Sequence, residues 1–100
     1  MFSVYLLRSA KNPQMTYVGF TTKDIRERMD AHNRGLTKTT APHVPWALEA
    51  VVSFRDKAKA QAFETYLKGG SGYAFAKRHL WGANSVKLEK QDDLEENMSA

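Results

Sequence analysis

The chain has 100 residues, of which 42% are hydrophobic and 26% charged, and it carries a formal net charge of +4 and no cysteine. This length fits one small domain, and the lack of cysteine excludes disulfide scaffolds, thiolate zinc sites and a cysteine nucleophile. Because no apolar run approaches the ~20 residues that span a bilayer, and no basic segment typical of a signal peptide precedes the first apolar residues, we expect a cytoplasmic protein without a membrane partner.

The first two predicted elements are β-strands that form a hairpin. In residues 2–8 and in Thr16–Thr21, apolar side chains recur at the period of two that is typical of strands. Antiparallel pairing of these strands would bury one apolar face and place Tyr5 and Tyr17 together on the opposite face. Gly19 belongs to that second face, and a glycine inside a strand indicates a close approach by another group.

The next predicted element is a helix over residues 23–34, with Thr22 as its N-cap and Gly35 at its end. Arg28 and His32 stand four positions apart within its apolar stripe, so both side chains face the sheet or its edge. Two interpretations stay open. In the first, the pair forms a phosphate site, with a planar cation and an imidazole that exchanges a proton near neutral pH. In the second, the pair is structural, with the arginine lying along apolar surface and the histidine hydrogen-bonded in the core.

A loop rich in Thr and Pro leads to a third strand, Trp46–Phe54, and then to a helix over Lys57–Lys68 with Asp56 as its N-cap. Glu64 lies in the apolar stripe of this helix. A carboxylate that faces a core is costly unless it is paired or bound to a metal. It is therefore either the partner of a cation such as Arg28 or a ligand of Mg²⁺, which often takes a single protein carboxylate.

The last predicted helix covers residues 72–81, after a stop at Gly69 and Gly70, with Ser71 as its N-cap. The element order is then β-β-α-β-α-α. This order is typical of an α+β domain in which helices flank a small three-stranded antiparallel sheet. We assign residues 1–81 to this single domain.

The charge is divided unevenly along the chain. Residues 1–81 contain 13 Lys and Arg and 6 Asp and Glu, a net charge of +7, whereas residues 82–100 contain 2 and 5, a net charge of −3. The basic domain favours a polyanionic partner such as a nucleic acid. The polar, acidic segment 82–100 lacks clear periodicity, and we expect it to be a flexible tail.

Five positions, in this order along the chain, resemble the GIY-YIG nuclease superfamily, in particular its small stand-alone members of the URI type. Residues 3–5 read Ser-Val-Tyr where the family has Gly-Ile-Tyr, and residues 17–19 read Tyr-Val-Gly where it has Tyr-Ile-Gly. Arg28 and His32 are similar to an arginine and a histidine on the family's helix, and Glu64 is similar to its metal-binding glutamate. The family's first glycine is a serine here, and the asparagine that many members carry after the metal helix has no counterpart that we can place.

The resemblance implies a GIY-YIG fold and a metal-dependent endonuclease. Such an enzyme would hydrolyse phosphodiester bonds of single-stranded, duplex or branched DNA in repair, recombination or processing. Glu64 would hold Mg²⁺ or Mn²⁺ on the scissile phosphate, and Arg28 would bind a phosphate oxygen. No small-molecule cofactor would be needed.

The same resemblance implies roles for the residues of the hairpin. Tyr5, with its pKa lowered by a nearby positive charge, would orient or deprotonate the attacking water. Tyr17 and His32 would complete the proton path. Gly19 would keep the backbone clear of the DNA.

Further DNA contacts are expected from basic and aromatic residues outside the matching positions. These are His43 in the loop and Lys77, Arg78 and Trp81 on the last helix, where a base could stack on the indole. The alternative function is a nucleic-acid-binding or repair accessory module that keeps the same fold and does not cleave.

Overall fold

The computed structural model describes residues 1–82. Its strands and helices, in chain order, are β1 (Phe2–Ser9), β2 (Thr16–Thr21), α1 (Ile25–Asn33), β3 (Trp46–Phe54), α2 (Lys57–Lys68) and α3 (Gly70–His79). A short 3₁₀ helix, Ala41–His43, lies in the loop between α1 and β3. The predicted element order and the α+β class are confirmed. The tail predicted at 82–100 lies outside the described residues, except for Gly82. Within the described part, no helix is long and apolar enough to cross a bilayer.

The central strand β1 organises a three-stranded antiparallel sheet with the order β2-β1-β3. Tyr5 pairs with Gly19 of β2, and Leu7 pairs with Tyr17. The predicted register of the hairpin, which places both tyrosines on one face, is therefore confirmed. On its other side β1 pairs with β3, and the pairing is shifted between Leu6 and Leu7.

One face of the sheet carries the main hydrophobic core. Val4 and Leu6 of β1 pack there against Ala60 and Leu67 of α2, and Ala76 brings α3 against the same cluster. Burying each of the larger aliphatic side chains contributes about 1.5–3 kcal/mol. This face holds α2, and with it Glu64, against the sheet.

The other face of the sheet is covered by α1 and by the loop before β3. Tyr5, Leu7 and Trp46 are buried in this layer, with Ile25 and Met29 of α1 packed beside them. Because β1 is the middle strand and both faces are covered, its side chains are removed from water on both sides. This double coverage places the phenol of Tyr5 inside the protein.

The start of α1 differs from the prediction by two residues, and its end agrees with it. Asp24 is the N-cap, with its carboxylate accepting a hydrogen bond from the backbone N–H of Arg26 at 2.8 Å, so Thr22 is not the cap. That hydrogen bond lowers the pKa of Asp24, as expected for a carboxylate at the positive end of a helix. Gly35 follows the helix with a φ of +77°, the left-handed conformation that favours glycine.

The turn between α2 and α3 is tighter than predicted. Gly69 is the C-cap of α2 and also the N-cap of α3, so Ser71 lies inside the first turn of α3 and does not cap it. A side chain at Gly72 would overlap the carbonyl group of Tyr66. The glycine at this position therefore lets the start of α3 pack directly on the end of α2.

Candidate active site

The phenol of Tyr5 is the centre of the site, and the hairpin sets its position. Tyr5 has no exposed surface. A Cβ atom built at Gly19, its partner on β2, would overlap the Tyr5 ring and would lie 2.8 Å from Cε2 of Tyr17. The close approach that the sequence indicated at Gly19 is that of the Tyr5 ring. The role that the family resemblance implies for Gly19, keeping the backbone clear of DNA, stays a prediction.

Two side chains of α1 reach the Tyr5 hydroxyl from consecutive turns of the helix. The Nε–H of Arg28 donates a hydrogen bond to Tyr5 Oη at 3.1 Å. Nε2 of His32 lies 2.8 Å from the same oxygen, and His32 is fully buried. The spacing of four residues thus brings a cation and an imidazole to one phenol oxygen.

Tyr17 completes the aromatic wall of this site. Its ring centroid lies 6.2 Å from that of Tyr5 and 5.3 Å from that of His32, with the histidine presented edge-on. On its other side the Tyr17 ring approaches the indole of Trp46 at 6.4 Å. Tyr17 is half-buried, so it forms part of the boundary between this layer and solvent.

Burial controls the protonation of both central groups. It raises the pKa of Tyr5 above its ordinary value of 10.0, although the hydrogen bond and the charge of Arg28 act in the opposite direction. It lowers the pKa of His32 below its ordinary value of 6.5, and the charge of Arg28 adds to that effect. The prediction of a lowered pKa for Tyr5 is therefore wrong in direction, because desolvation outweighs the cation. At neutral pH the site holds a neutral phenol beside a neutral imidazole.

Glu64 projects from α2, beside the same sheet. Its side chain is 22% exposed, and Lys68 Nζ lies 3.1 Å from Oε2, one helical turn away. The sequence left open a cation such as Arg28 as the partner of Glu64, and the cation paired with it in the structure is Lys68. The charge of Glu64 is near enough to Tyr5 to contribute to the raised pKa of the phenol.

The donor set at Glu64 fits a cation that needs few protein ligands. Within residues 1–82 there is no group of three or more His, Asp or Glu side chains that could form a closed metal site. Mg²⁺ commonly binds through one or two carboxylates and completes its shell with water and substrate phosphate oxygens. A single, partly exposed carboxylate at Glu64 suits that mode of binding.

The basic and aromatic residues predicted to contact DNA are not among the hydrogen-bond partners of the Tyr5 hydroxyl, which are Arg28 and His32. Lys77 and Arg78 are exposed on α3. Trp81 is partly buried against the main core, and the guanidinium of Arg8 lies 5.4 Å from its ring centroid. His43 packs edge-on against Trp46 at 6.2 Å, in the layer that contains Tyr17. Contact of these groups with DNA stays a prediction.

Thr40 is a member of the site that sequence reasoning missed. It is buried, with 1% of its surface exposed, and its Oγ1 lies 2.7 Å from Nδ1 of His32. In the sequence it belongs to a loop rich in Thr and Pro, whose composition indicates only a turn region. No local pattern distinguishes Thr40 from its exposed neighbours Lys38 and Thr39.

An imidazole and a guanidinium thus meet at the oxygen of one phenol, and the Glu64 carboxylate lies on α2, the helix that packs on the other face of the sheet. A family model described as the GIY-YIG catalytic domain matches residues 1–77. The match covers both strands of the hairpin, α1, β3, α2 and most of α3. A comparison with curated proteins found no significant match.

Proposed function

The chain belongs to the GIY-YIG nuclease family, and from this premise we propose that it is a divalent-metal-dependent endonuclease that hydrolyses phosphodiester bonds of DNA. The observation that carries the proposal is the convergence of Arg28 and His32 on the Tyr5 hydroxyl, at 3.1 Å and 2.8 Å. A nuclease needs a cation for the phosphate and a path for a proton. Both are present at this one oxygen.

Arg28 is the phosphate-binding group of the proposed site. Its Nε–H is engaged by Tyr5, and a guanidinium has five N–H donors in a fixed planar arrangement. The remaining donors on Nη1 and Nη2 suit two oxygens of a phosphate group. Because Arg28 is half-buried, its charge is screened less than that of the exposed Arg26 on the same helix.

Tyr5 and His32 form the proton path. As a water oxygen attacks phosphorus, one water proton passes to Tyr5 Oη while the Tyr5 proton passes to His32 Nε2. The bond from phosphorus to the leaving oxygen breaks, and that oxygen takes a proton from solvent. Since Tyr5 has no exposed surface, water reaches its oxygen only after a covering group moves. We place this movement at the half-buried Arg28 guanidinium: when a phosphate binds its Nη1 and Nη2, its Nε–H leaves Tyr5 Oη and a water takes its place.

Glu64 is the residue that would hold Mg²⁺ or Mn²⁺, and such an ion supplies positive charge to the scissile phosphate and the leaving oxygen. The Lys68 ammonium at 3.1 Å from Oε2 neutralises this carboxylate while no cation is bound. A cation must therefore displace or share that contact. The basic charge of residues 1–81 adds a general attraction for the DNA backbone.

One observation favours a second candidate function, a DNA-binding or repair accessory module that does not cleave. Burial raises the pKa of Tyr5, so less of the phenolate that could take a proton from water is present at neutral pH. In that module Arg28 and the basic surface would bind phosphate, and Tyr5 and His32 would have only a structural role.

Labelled single-stranded, duplex and branched DNA, incubated with Mg²⁺, Mn²⁺ or EDTA, separate the two functions. These DNA forms arise in repair and recombination, where we place the protein. An endonuclease cleaves at least one of them with metal, and Glu64→Gln and Arg28→Ala abolish cleavage. The matched controls are Glu27→Gln and Arg26→Ala, both exposed positions of α1. Salt-sensitive binding without cleavage in any metal would reject the endonuclease and support the accessory module.

A further inference from the structure

The hydroxyl of Thr40 lies on the side of the His32 ring opposite to Tyr5. Its Oγ1 is 2.7 Å from Nδ1 of His32, and Tyr5 Oη is 2.8 Å from Nε2. The histidine is thus held at both nitrogens inside the protein. The second contact of Thr40 Oγ1 is the carbonyl oxygen of Thr37, at 3.4 Å.

The direction of these hydrogen bonds follows from which groups can only donate and which can only accept. Arg28 Nε–H can only donate, so it uses a lone pair of Tyr5 Oη. The buried Tyr5 proton then needs an acceptor, and His32 Nε2 is the group in reach. A neutral imidazole that accepts at Nε2 carries its proton on Nδ1, and that proton is directed at Thr40.

The hydrogen bond between Thr40 and Thr37 agrees with this direction. If Thr40 Oγ1 accepts from His32, its own proton is free to donate to the carbonyl of Thr37, which can only accept. The reverse direction would have Thr40 donate to Nδ1 and His32 Nε2–H donate to Tyr5. That order leaves the buried Tyr5 proton without an acceptor at either of its two contacts, and it leaves the Thr37 contact unmade.

We propose that Thr40 is a positioning residue that fixes the tautomer and the ring orientation of His32, so that the Nε2 lone pair faces Tyr5. This inference rests on the proposed nuclease function for its role in catalysis. The tautomer itself does not depend on that function. When His32 takes the Tyr5 proton, both ring nitrogens carry protons, and Thr40 still accepts from Nδ1.

Hydrogen bonds to Trp46 hold the loop that carries Thr40 in the position that places its hydroxyl beside His32. The indole Nε1–H of Trp46 donates to the backbone carbonyl of Thr40 at 2.8 Å. The side-chain amide of Asn33 fixes Trp46 in turn. Its Oδ1 accepts a hydrogen bond from the backbone N–H of Trp46 at 2.6 Å, and its Nδ2 donates one to the backbone carbonyl of Trp46 at 3.2 Å. Because Asn33 follows His32 directly in α1, the helix that carries the histidine also anchors the residue that orients it.

The direct test is the tautomer of His32, read from the nitrogen shifts and long-range couplings of uniformly ¹⁵N-labelled protein without DNA or metal. We expect the wild-type ring to be protonated on Nδ1 at pH 7.5. Thr40→Val keeps the shape of the side chain and removes the oxygen, and it should give a mixture of tautomers. Thr40→Ser restores the oxygen and should restore the Nδ1–H form. Protonation on Nε2 in the wild type, or no change in Thr40→Val, would overturn the proposal.

The kinetic test separates orientation from folding. Thr40→Val should lower kcat by about 10- to 100-fold, the usual effect of losing a partner that orients an active-site ligand, and leave KM for DNA within about two-fold. Thr40→Ser should recover most of kcat. If the serine variant is as slow as the valine variant while both melt like the wild type, the hydroxyl is not the cause. A wild-type protein that never cleaves DNA would reject the proposed function and leave the tautomer result standing.

Discussion

Gly19 lies directly across the hairpin from Tyr5, and the missing side chain at Gly19 is the space that the Tyr5 ring fills. The pairing is part of the sheet, so neither residue can shift along its strand without moving the register of the whole hairpin. Arg28 and His32 of α1 hold the hydroxyl of the same ring by hydrogen bonds. The position of the phenol therefore depends on a glycine that makes no polar contact with it.

Gly19→Ala should destabilise the protein and displace the phenol. The added methyl group would overlap the Tyr5 ring in a packed layer, and overpacking of this kind costs about 1–3 kcal/mol. Gly70→Ala is the matched control, because a Cβ there meets nothing within 4 Å. Urea unfolding of the two variants measures the difference. Equal stability of both would show that the Tyr5 ring has more space than the structure gives it.

Tyr5→Phe should slow DNA cleavage far more than it weakens DNA binding. The substitution keeps the ring in its place and removes the oxygen shared by Arg28 and His32. Loss of a proton-transferring group lowers rates by about 10²- to 10⁴-fold. The control is Tyr73→Phe, which removes a hydroxyl from an exposed ring on α3. Single-turnover cleavage gives the rate, and a binding titration in EDTA gives the affinity. A Tyr5→Phe protein that cleaves at the wild-type rate would remove the phenol from the mechanism.

Strand alternation was sufficient to predict much of the site. The period of two placed Tyr5, Tyr17 and Gly19 on one face, and the helical spacing placed Arg28 and His32 on one stripe. Both patterns are set by backbone geometry within a few residues, which is why they can be seen in the sequence.

The remaining features depend on contacts between distant parts of the chain. The pKa of Tyr5 is raised because α1 and the loop before β3 cover the central strand, and no local pattern reports that coverage. Thr40 meets His32 through the packing of a loop held by Trp46. The N-cap of α1 is a different case. Thr22 and Asp24 are both suitable cap residues, and the carboxylate that reaches the Arg26 N–H is the cap.

The stability of the protein should be greatest between about pH 6.5 and pH 10 as far as His32 and Tyr5 are concerned. The folded pKa of His32 is below its ordinary value of 6.5, so the unfolded chain binds the proton more readily and stability falls as the pH drops below 6.5. The folded pKa of Tyr5 is above 10.0, so the unfolded chain loses its proton more readily and stability falls as the pH rises above 10. Urea unfolding at a series of pH values measures both slopes.

Two variants test whether protonation of the buried His32 causes the loss of stability below pH 6.5. His32→Gln should flatten the slope of stability against pH below 6.5, whereas His79→Gln, at an exposed position of α3, should leave it unchanged. An acid slope that persists in His32→Gln would show that another group takes up the proton.

Lys68→Gln should lower the Mg²⁺ concentration needed for half-maximal cleavage. Lys68 Nζ lies 3.1 Å from Glu64 Oε2, so the ammonium and the metal ion compete for one carboxylate. Exposed ion pairs of this kind are worth about 0.2–1 kcal/mol, and the upper end of that range corresponds to a shift of about five-fold. Lys59→Gln, at an exposed position of the same helix, removes an equal charge and controls for the effect of net charge on metal binding. Electron paramagnetic resonance of Mn²⁺ binding gives the same comparison without DNA. If both variants change the metal requirement equally, the effect belongs to net charge, and the Lys68 contact does not govern the access of the cation to Glu64.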